Sequence, residues 1–356
     1  MDGSPGPAVA PPDIVDLARL RAEARTRHEW GLADALRARI EAAGWRVTDH
    51  GARSSLSPAT PATIEMNGEA RYGSAAAVPS LLHLPATAAW SVVTVASEEP
   101  HRMSAFLAGL RVHASAPTRV VIVANDPSET QAKALAQGAP DLEPVTGLEP
   151  EVIRTSVRLG LAAALNIGLQ RAAGELVLLA DATAVPTGDA LTPVAAALAD
   201  PTVAAAGAPG LILDPDRPQL NRLRLSEGTG ARPVVALELQ WLACRRSDCR
   251  LLGPLDEHFI TPAWLGPWWT LHLRAGSEAP AAGSDDVERV AAGRVGSEMP
   301  GQAEARTRHL RATRTAVTMD LPLAGIGTTW PPERTRMNRR NMYRLIDDFG
   351  GREGLT

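Results

Sequence analysis

The sequence predicts an α/β fold with a mainly parallel sheet flanked by helices, and three observations support this class. Short apolar runs, too brief for helices, recur at residues 91–96, 119–124 and 176–180. Segments whose apolar residues follow helical spacing alternate with these runs, as expected for βαβ units. Polar or acidic residues follow each run. Since ligands of open α/β sheets bind at the carboxyl ends of the strands, we expect the functional site there.

Candidate site residues stand directly after the predicted strands. Glu98 follows the first strand, Asn125 and Asp126 follow the second, and Asp181 follows the run at 176–180. An acid at such a position can hold a metal ion or a sugar hydroxyl. Asp126 has a second interpretation, because aspartate also forms Asx-turns and caps the first turn of helices. The sequence leaves both interpretations of Asp126 open.

Length, charge and cysteine content limit the class of protein. The chain has 356 residues, of which 45% are hydrophobic, and a net charge of −4. This length suits one large domain with an accessory element, and the charge gives no general attraction to nucleic acid or anionic membranes. The two cysteines, the non-basic N-terminus and the lack of an apolar run of about 20 residues predict a cytoplasmic protein without a membrane span.

Composition and periodicity divide the chain into segments. The N-terminus is rich in proline and glycine, and two helical patterns follow it. A region rich in Ser, Pro, Ala and Gly then precedes the first predicted strand. We predict a disordered tail at 1–12, a helical hairpin at 13–50, a surface linker at 51–88, a main domain at 89–349 with a mobile insertion at 275–308, and a tail at 350–356.

The centre of the chain resembles a known enzyme family. Gly160, Asn166, Gly168, the turn at 173–175 and Asp181 resemble the centre of a family 2 glycosyltransferase. The sequence LLGPLDEHF, which begins at position 251, resembles the Gly-x-(Leu/Phe)-Asp-Glu-x-Phe loop of that family. The resemblance extends, with gaps, from about residue 91 to about residue 349. It implies a GT-A-like fold in which one domain binds a nucleotide sugar and an acceptor.

The resemblance also implies roles for individual residues. It makes Asp181 a ligand of a divalent metal, Mg²⁺ or Mn²⁺, and makes Asp126 the acid that holds a uracil or guanine base. Asp256 is the candidate catalytic base. The full set expected to bind a UDP- or GDP-linked donor comprises Glu98, Asn125, Asp126, Arg158, Asn166 and Asp181. The donor sugar and the acceptor do not follow from the sequence.

Three positions depart from the family pattern. The usual Asp-x-Asp reads Asp181-Ala182-Thr183, and the acidic pair expected before the last core helix falls on Leu265-Gly266-Pro267. An expected arginine falls on Leu165, for which Arg158 could substitute. Two hypotheses follow, a divergent glycosyltransferase and a degenerate GT-A domain that acts as a binding or scaffolding module. Convergence of Asp181, Asp126 and another acid on one pocket favours the enzyme, and an apolar filling favours the module.

Two further patterns each have two interpretations. The predicted hairpin resembles the C-terminal tail of cysteinyl-tRNA synthetases, which implies either RNA binding or a reused hairpin that packs on its neighbour. Acids interspersed with its arginines favour packing, so we do not expect a nucleic-acid partner. The tryptophans at 264, 268 and 269 could stack on sugar rings, but such clusters are more typical of a packed core.

Overall fold

The computed structural model describes residues 10–50, 53–96, 98–136, 147–216, 219–259, 261–276, 314–327, 330, 332–333 and 335–350. The predicted mobile insertion, except residues 275 and 276, lies outside the described residues. So do residues 1–9 of the predicted N-terminal tail and residues 351–356 of the C-terminal tail.

The helices, in chain order, are α1 Pro12–Thr26, α2 Trp30–Ala42, α3 Pro100–His113, α4 Glu129–Ala134, α5 Leu161–Gln170, α6 Thr192–Ala199, α7 Arg246–Leu252, α8 Pro262–Ala275 and α9 Arg336–Phe349. The strands are β1 Trp45–His50, β2 Arg53–Pro58, β3 Ile64–Met66, β4 Glu69–Tyr72, β5 Ala88–Ala96, β6 Thr118–Ala124, β7 Leu148–Thr155, β8 Gly174–Ala180, β9 Val185–Pro186, β10 Val203–Leu213, β11 Leu223–Leu225, β12 Arg232–Val234, β13 Ala236–Arg245, β14 Thr315–Thr318 and β15 Leu323–Ala324.

A mixed sheet of eleven strands runs through the described part of the main domain. Its order is β12-β14-β10-β13-β8-β5-β6-β7-β4-β3, with β11 paired to β10. The central strands β8, β5, β6 and β7 are parallel to one another, and β4 continues this arrangement. Strand β13 is antiparallel to both β8 and β10. The predicted α/β class, with a mainly parallel centre, is confirmed.

The sheet is buried on both faces, which explains why its strands read as continuous apolar runs. Alternate residues of β5 enter different cores. Trp90 and Val92 pack with α3 and α6 on one face, whereas Val93 packs with α5, α8 and α9 on the other. Because β5 and β8 are parallel neighbours between these two cores, their carboxyl ends lie at the same edge of the sheet.

The N-terminal segment forms a small unit with its own core. Helices α1 and α2 pack on each other and on the antiparallel hairpin of β1 and β2, around the buried Ile14, Ala18, Ile40 and Val47. An ion pair between the buried Arg21 and the partly exposed Asp49 also joins α1 to β1. The guanidinium of Arg21 donates to both oxygens of Asp49, at 2.8 and 2.9 Å.

Two segments contain more regular structure than their sequences suggest. Residues 51–88, expected to be a surface linker, contain β2, β3 and β4, and β4 pairs in parallel with β7. These strands are short and mostly exposed, so they carry little of the apolar periodicity that identifies a strand. Residues 207–210 read Gly-Ala-Pro-Gly, a composition typical of loops, yet they continue β10, and Gly207 and Gly210 pair with β13.

Among the helices of the described residues, none combines the length and apolar character needed to cross a lipid bilayer.

The Arg21–Asp49 pair predicts a pH-dependent stability of the N-terminal unit. The hydrogen bond from Arg21 holds the pKa of Asp49 below its ordinary value, although burial opposes this. The pair therefore stabilises the unit above the unfolded-state pKa of about 4 and loses its effect as the pH falls through the folded-state pKa. We expect Asp49→Asn to cost about 2 kcal/mol at pH 7. Hydrogen exchange of peptides from residues 12–49 measures this cost.

The matched control is Asp16→Asn. Asp16 pairs with Arg19 at 3.6 Å on the surface, where ion pairs contribute little. Exchange in this variant should equal that of the wild type at every pH. Equal effects of the two substitutions, or an Asp49→Asn effect that persists at pH 2, would contradict the role assigned to the Arg21–Asp49 pair.

Candidate functional site

A cleft of about 340 Å³ opens at the carboxyl ends of β5 and β8. Its walls also include the start of α3, the start of α5, strand β13 and the first residues of α8. Its polar lining residues include Glu98, Glu99, Arg102, Asp181, Glu238 and Gln240. The sequence analysis predicted a site at this edge of the sheet, and the cleft lies there.

The lining of the cleft is acidic. Four carboxylates, those of Glu98, Glu99, Asp181 and Glu238, face one guanidinium, that of Arg102. Arg102 forms an ion pair with Glu99, and Arg158 forms one with Glu98 at 2.8 Å. Both pairs are about half exposed, so solvent screens them. The cleft therefore attracts cations and repels an unaccompanied polyphosphate.

Asp181 lies at the cleft and is fixed by the residues around it. Its N–H donates to the carbonyl of Gln240 at 3.0 Å. Its Oδ1 accepts hydrogen bonds from the N–H and the hydroxyl of Thr183, each at 2.8 Å. Thr183 occupies the place of the second acid, and its hydroxyl orients the carboxylate. Within the described residues, Oδ2 accepts no hydrogen bond, so it can bind a cation.

The side chains at the cleft do not form a complete metal centre. Within the described residues, no group of three His, Cys, Asp or Glu side chains is placed to hold a metal ion. Divalent cations that arrive bound to a polyphosphate need fewer protein ligands, because one or two carboxylates together with phosphate oxygens and water complete their coordination. The exposed carboxylate of Asp181 is suited to that role, as one ligand.

Asn125 and Asp126 are not among the cleft-lining residues. Asn125 is buried, and its amide holds Leu159 by two hydrogen bonds, of 2.8 and 3.0 Å. It thereby ties the end of β6 to the segment before α5. Asp126 is exposed, with φ at +46°, and its N–H donates to the Thr155 hydroxyl. The alternative N-cap role of Asp126 is wrong, because Ser128 caps α4.

Asn166 also makes structural contacts. Its side chain is 1% exposed and pairs with Leu255 through both amide atoms, at 2.8 and 2.9 Å. It donates a further hydrogen bond to Glu257 at 3.2 Å. Helix α5 is thereby fixed to the loop before α8, which is the loop that the sequence analysis related to family 2 enzymes. Asn166 is not a lining residue of the cleft either.

Asp256, the candidate catalytic base, is engaged in other contacts. Burial raises its pKa, but hydrogen bonds from His258 and Arg344 outweigh that effect and hold the pKa below its ordinary value. The contact to the His258 ring measures 2.7 Å, and Arg344 binds the second carboxylate oxygen. A carboxylate with a lowered pKa accepts protons weakly. Asp256 is also absent from the lining of the cleft.

The structure brings to the cleft an acid from β13, a strand in which the sequence analysis predicted no site residue. Glu238, on β13, is 3% exposed and lines the cleft together with Gln240. These two polar residues alternate within the apolar run of β13. Such alternation inside a buried strand was the available signal, since buried polar side chains need a specific reason.

The tryptophans of α8 are packed in the core. Trp264 contacts Trp330 edge-on at 4.8 Å between ring centroids, and Trp268 stacks on His272 at 4.7 Å. All three tryptophans of the cluster are buried. The packing interpretation is therefore confirmed, and none of these rings is available as a platform for a sugar.

Comparison with known families identifies the segment that contains the cleft. Residues 91–262 match the model of Glycosyl transferase family 2, just under half of the chain. The resemblance to family 2 glycosyltransferases inferred from the sequence is thus confirmed for this segment. The resemblance of the N-terminal hairpin stays a prediction. No curated protein matches the chain.

Several solved structures are similar to parts of the chain. A mannosyltransferase, PcManGT, from Pyrobaculum calidifontis in complex with GDP-Man and Mn²⁺ is 21% identical, with 53% of each chain covered and a TM-score of 0.38. GalNAc-T7 with UDP, GalNAc and Mn²⁺ is 13% identical over 73% of this chain and 48% of that one, with a TM-score of 0.46. S. aureus TarS 1–349 with UDP-GlcNAc is 14% identical over 52% of this chain and 53% of that one, with a TM-score of 0.37. The chain spans about half the length of these proteins.

The contacts of Asn166 predict a structural effect. Asn166→Ala leaves the N–H and C=O of Leu255 buried without these partners, which we expect to cost about 2–4 kcal/mol. Urea unfolding measures the cost. Asn221→Ala, at an exposed asparagine, is the control and should change stability by less than about 0.5 kcal/mol. If Asn166→Ala left stability unchanged and weakened UDP binding, Asn166 would instead be a direct ligand of the nucleotide.

Proposed function

We propose that this protein is a glycosyltransferase that moves a sugar from a UDP- or GDP-linked donor to an acceptor. The observation that carries the proposal is the acidic cleft, whose lining comes almost entirely from the segment that matches Glycosyl transferase family 2. The cleft lies at the carboxyl ends of parallel strands, which is where α/β proteins bind nucleotides. A volume of about 340 Å³ lies within the range of small-molecule sites.

The charge of the cleft supports a metal-assisted donor site. A nucleoside diphosphate brings negative charge into a lining that is already acidic, so it requires a compensating cation. Asp181 would hold Mg²⁺ or Mn²⁺ from the protein side. When bound, such an ion neutralises the charge of the leaving diphosphate. Arg158 and Arg102, which now pair with Glu98 and Glu99, could turn toward the phosphates because their pairs are weak.

The alternative of a degenerate binding module has in its favour the three departures from the family pattern and the position of Asp126 outside the lining of the cleft. An apolar filling of the cleft would have supported it further. The cleft is instead open and lined by four carboxylates, although Asp126 is not one of them. This arrangement favours the enzyme.

RNA binding by the N-terminal hairpin has little support among the described residues. Arg21 and Arg25 pair with Asp49, and Arg37 pairs with Glu41. Arginines that are engaged in such pairs have less charge to offer a phosphate backbone.

Titration calorimetry with UDP and GDP, with and without Mn²⁺, tests the proposed donor site. We expect one of the nucleotides to bind in the presence of Mn²⁺, and Asp181→Asn to weaken that binding at least tenfold, or about 1.4 kcal/mol. Mn²⁺ alone should bind only at millimolar concentrations, because one carboxylate does not make a metal site. UDP and GDP are the first choice, since the family resemblance implies a uracil or guanine base.

Asp200→Asn is a closely matched control. Asp200-Pro201-Thr202 forms the same turn as Asp181-Ala182-Thr183, with Oδ1 accepting from the N–H and hydroxyl of the threonine at 2.8 and 2.7 Å. Asp200 lies away from the cleft, so its substitution should leave nucleotide binding unchanged. No binding of either nucleotide at millimolar concentration would contradict the transferase proposal and favour the binding module. Nucleotide binding that is unchanged by Mn²⁺ and by Asp181→Asn would contradict the proposal that Asp181 holds the cation.

A further inference from the structure

We infer that Glu238 is the catalytic residue that accepts the proton of the incoming nucleophile. The inference rests on the proposed function. When the oxygen of a hydroxyl or of water attacks the anomeric carbon, the bond from that carbon to the diphosphate oxygen breaks. The diphosphate leaves with the electron pair, and the proton of the nucleophile must pass to a base. The carboxylate of Glu238 is placed to take that proton.

Helix α8 cannot supply this base. Its residues 265–267 contain no acid, and the packing of the helix explains why. A Cβ atom on Gly266 would lie 2.7 Å from the carbonyl oxygen of Leu237 and 2.7 Å from the nitrogen of Leu239. The backbone of α8 therefore packs directly on the backbone of β13, which leaves no room for a side chain at position 266. Leu265 is fully buried in the core beside it. The strand beneath this contact carries Glu238.

The other acids of the cleft are less suited to the role. Asp181 lies beside the proposed cation, and a carboxylate that binds a cation is a poor proton acceptor. Glu98 and Glu99 are about half exposed, so water competes with a nucleophile for them. Glu238 is the most buried of the four, which places it deepest in the lining.

The pairing of β13 with β8 sets the distance between Glu238 and Asp181. The N–H of Asp181 donates to the carbonyl of Gln240, so these two residues are neighbours. Glu238 stands two residues before Gln240 on β13, where the pairing with β10 is irregular, so their backbones lie at most about 7 Å apart, and both residues line the cleft. Diphosphate at Asp181 and nucleophile at Glu238 would then lie on two sides of one sugar ring.

The test measures release of UDP or GDP from sugar nucleotides, with water as the nucleophile, so that the unknown acceptor is not needed. We expect Glu238→Gln to lower the rate on the order of 10²–10⁴-fold while the Kd for the nucleotide stays within about twofold. Formate should restore part of the rate of Glu238→Ala, because it supplies a carboxylate in the vacated space. A purely structural role would not produce this rescue.

Two comparison variants complete the test. Glu151→Gln removes a strand carboxylate that pairs with Arg119 and Arg171 outside the cleft, and it should keep the wild-type rate. Asp256→Asn tests the rival base. If it abolished the rate while Glu238→Gln did not, the inference would be overturned in favour of Asp256.

The remaining outcomes also decide the question. If Glu238→Gln does not fold, Glu238→Asp is the second variant, because it keeps the charge and shortens the side chain by one methylene. It should lower the rate of nucleotide release and leave the Kd for the nucleotide unchanged. An unchanged rate in either variant overturns the inference and leaves the proposed function standing. Wild-type protein that binds the nucleotide but releases none from a sugar nucleotide overturns the inference and leaves only nucleotide binding. Failure of the wild type to bind nucleotides removes the proposed function itself.

Discussion

The candidate site depends on the antiparallel pairing of β13 with β8. This pairing joins Asp181 to Gln240 through a backbone hydrogen bond of 3.0 Å and brings Glu238 to the same cleft. Strand β13 is also closely packed against β10 and against helix α8. On the edge facing β10, a Cβ atom at Gly207 would lie 1.8 Å from the carbonyl oxygen of Trp241. Gly266 of α8 makes a similarly close approach from one face of the sheet. Backbone contacts therefore fix the position of the strand more firmly than side-chain packing alone would.

Electrostatics gives this arrangement its chemical character. A lining with four carboxylates and one guanidinium is unfavourable for a diphosphate unless a cation accompanies it. The orientation of Asp181 by Thr183 supports the same conclusion, because two donors occupy Oδ1 and leave Oδ2 for a cation. Under the proposed function, the replacement of the second acid by threonine changes how the carboxylate is held and does not remove the carboxylate. The cation then depends on the donor for most of its ligands.

The sequence predicted the sheet and the edge that carries the site, but it did not predict which polar residues face the cleft. Apolar periodicity reveals strands that are buried on both faces, and strand ends indicate where ligands bind. Neither signal tells whether a polar residue at a strand end contacts a ligand or a distant part of the chain. Asn166 has the expected position, yet its partner is the backbone of Leu255, 89 residues later. Asn125 likewise binds Leu159, 34 residues later. Such contacts depend on the tertiary structure, and the pattern of residues in a single sequence does not reveal them.

The placement of acids argues for a rearranged catalytic site more than for a lost one. Glu238 is a buried carboxylate in a core strand, and because burying a charge costs free energy, its position at the cleft requires a specific reason. The backbone contact at Gly266 excludes any side chain at that position of α8, and Glu238 stands on the strand that makes this contact. The position without a side chain on the helix and the acid on the strand thus lie next to each other in the fold. Under the proposed function, the helix approaches the sheet closely and the strand supplies the carboxylate.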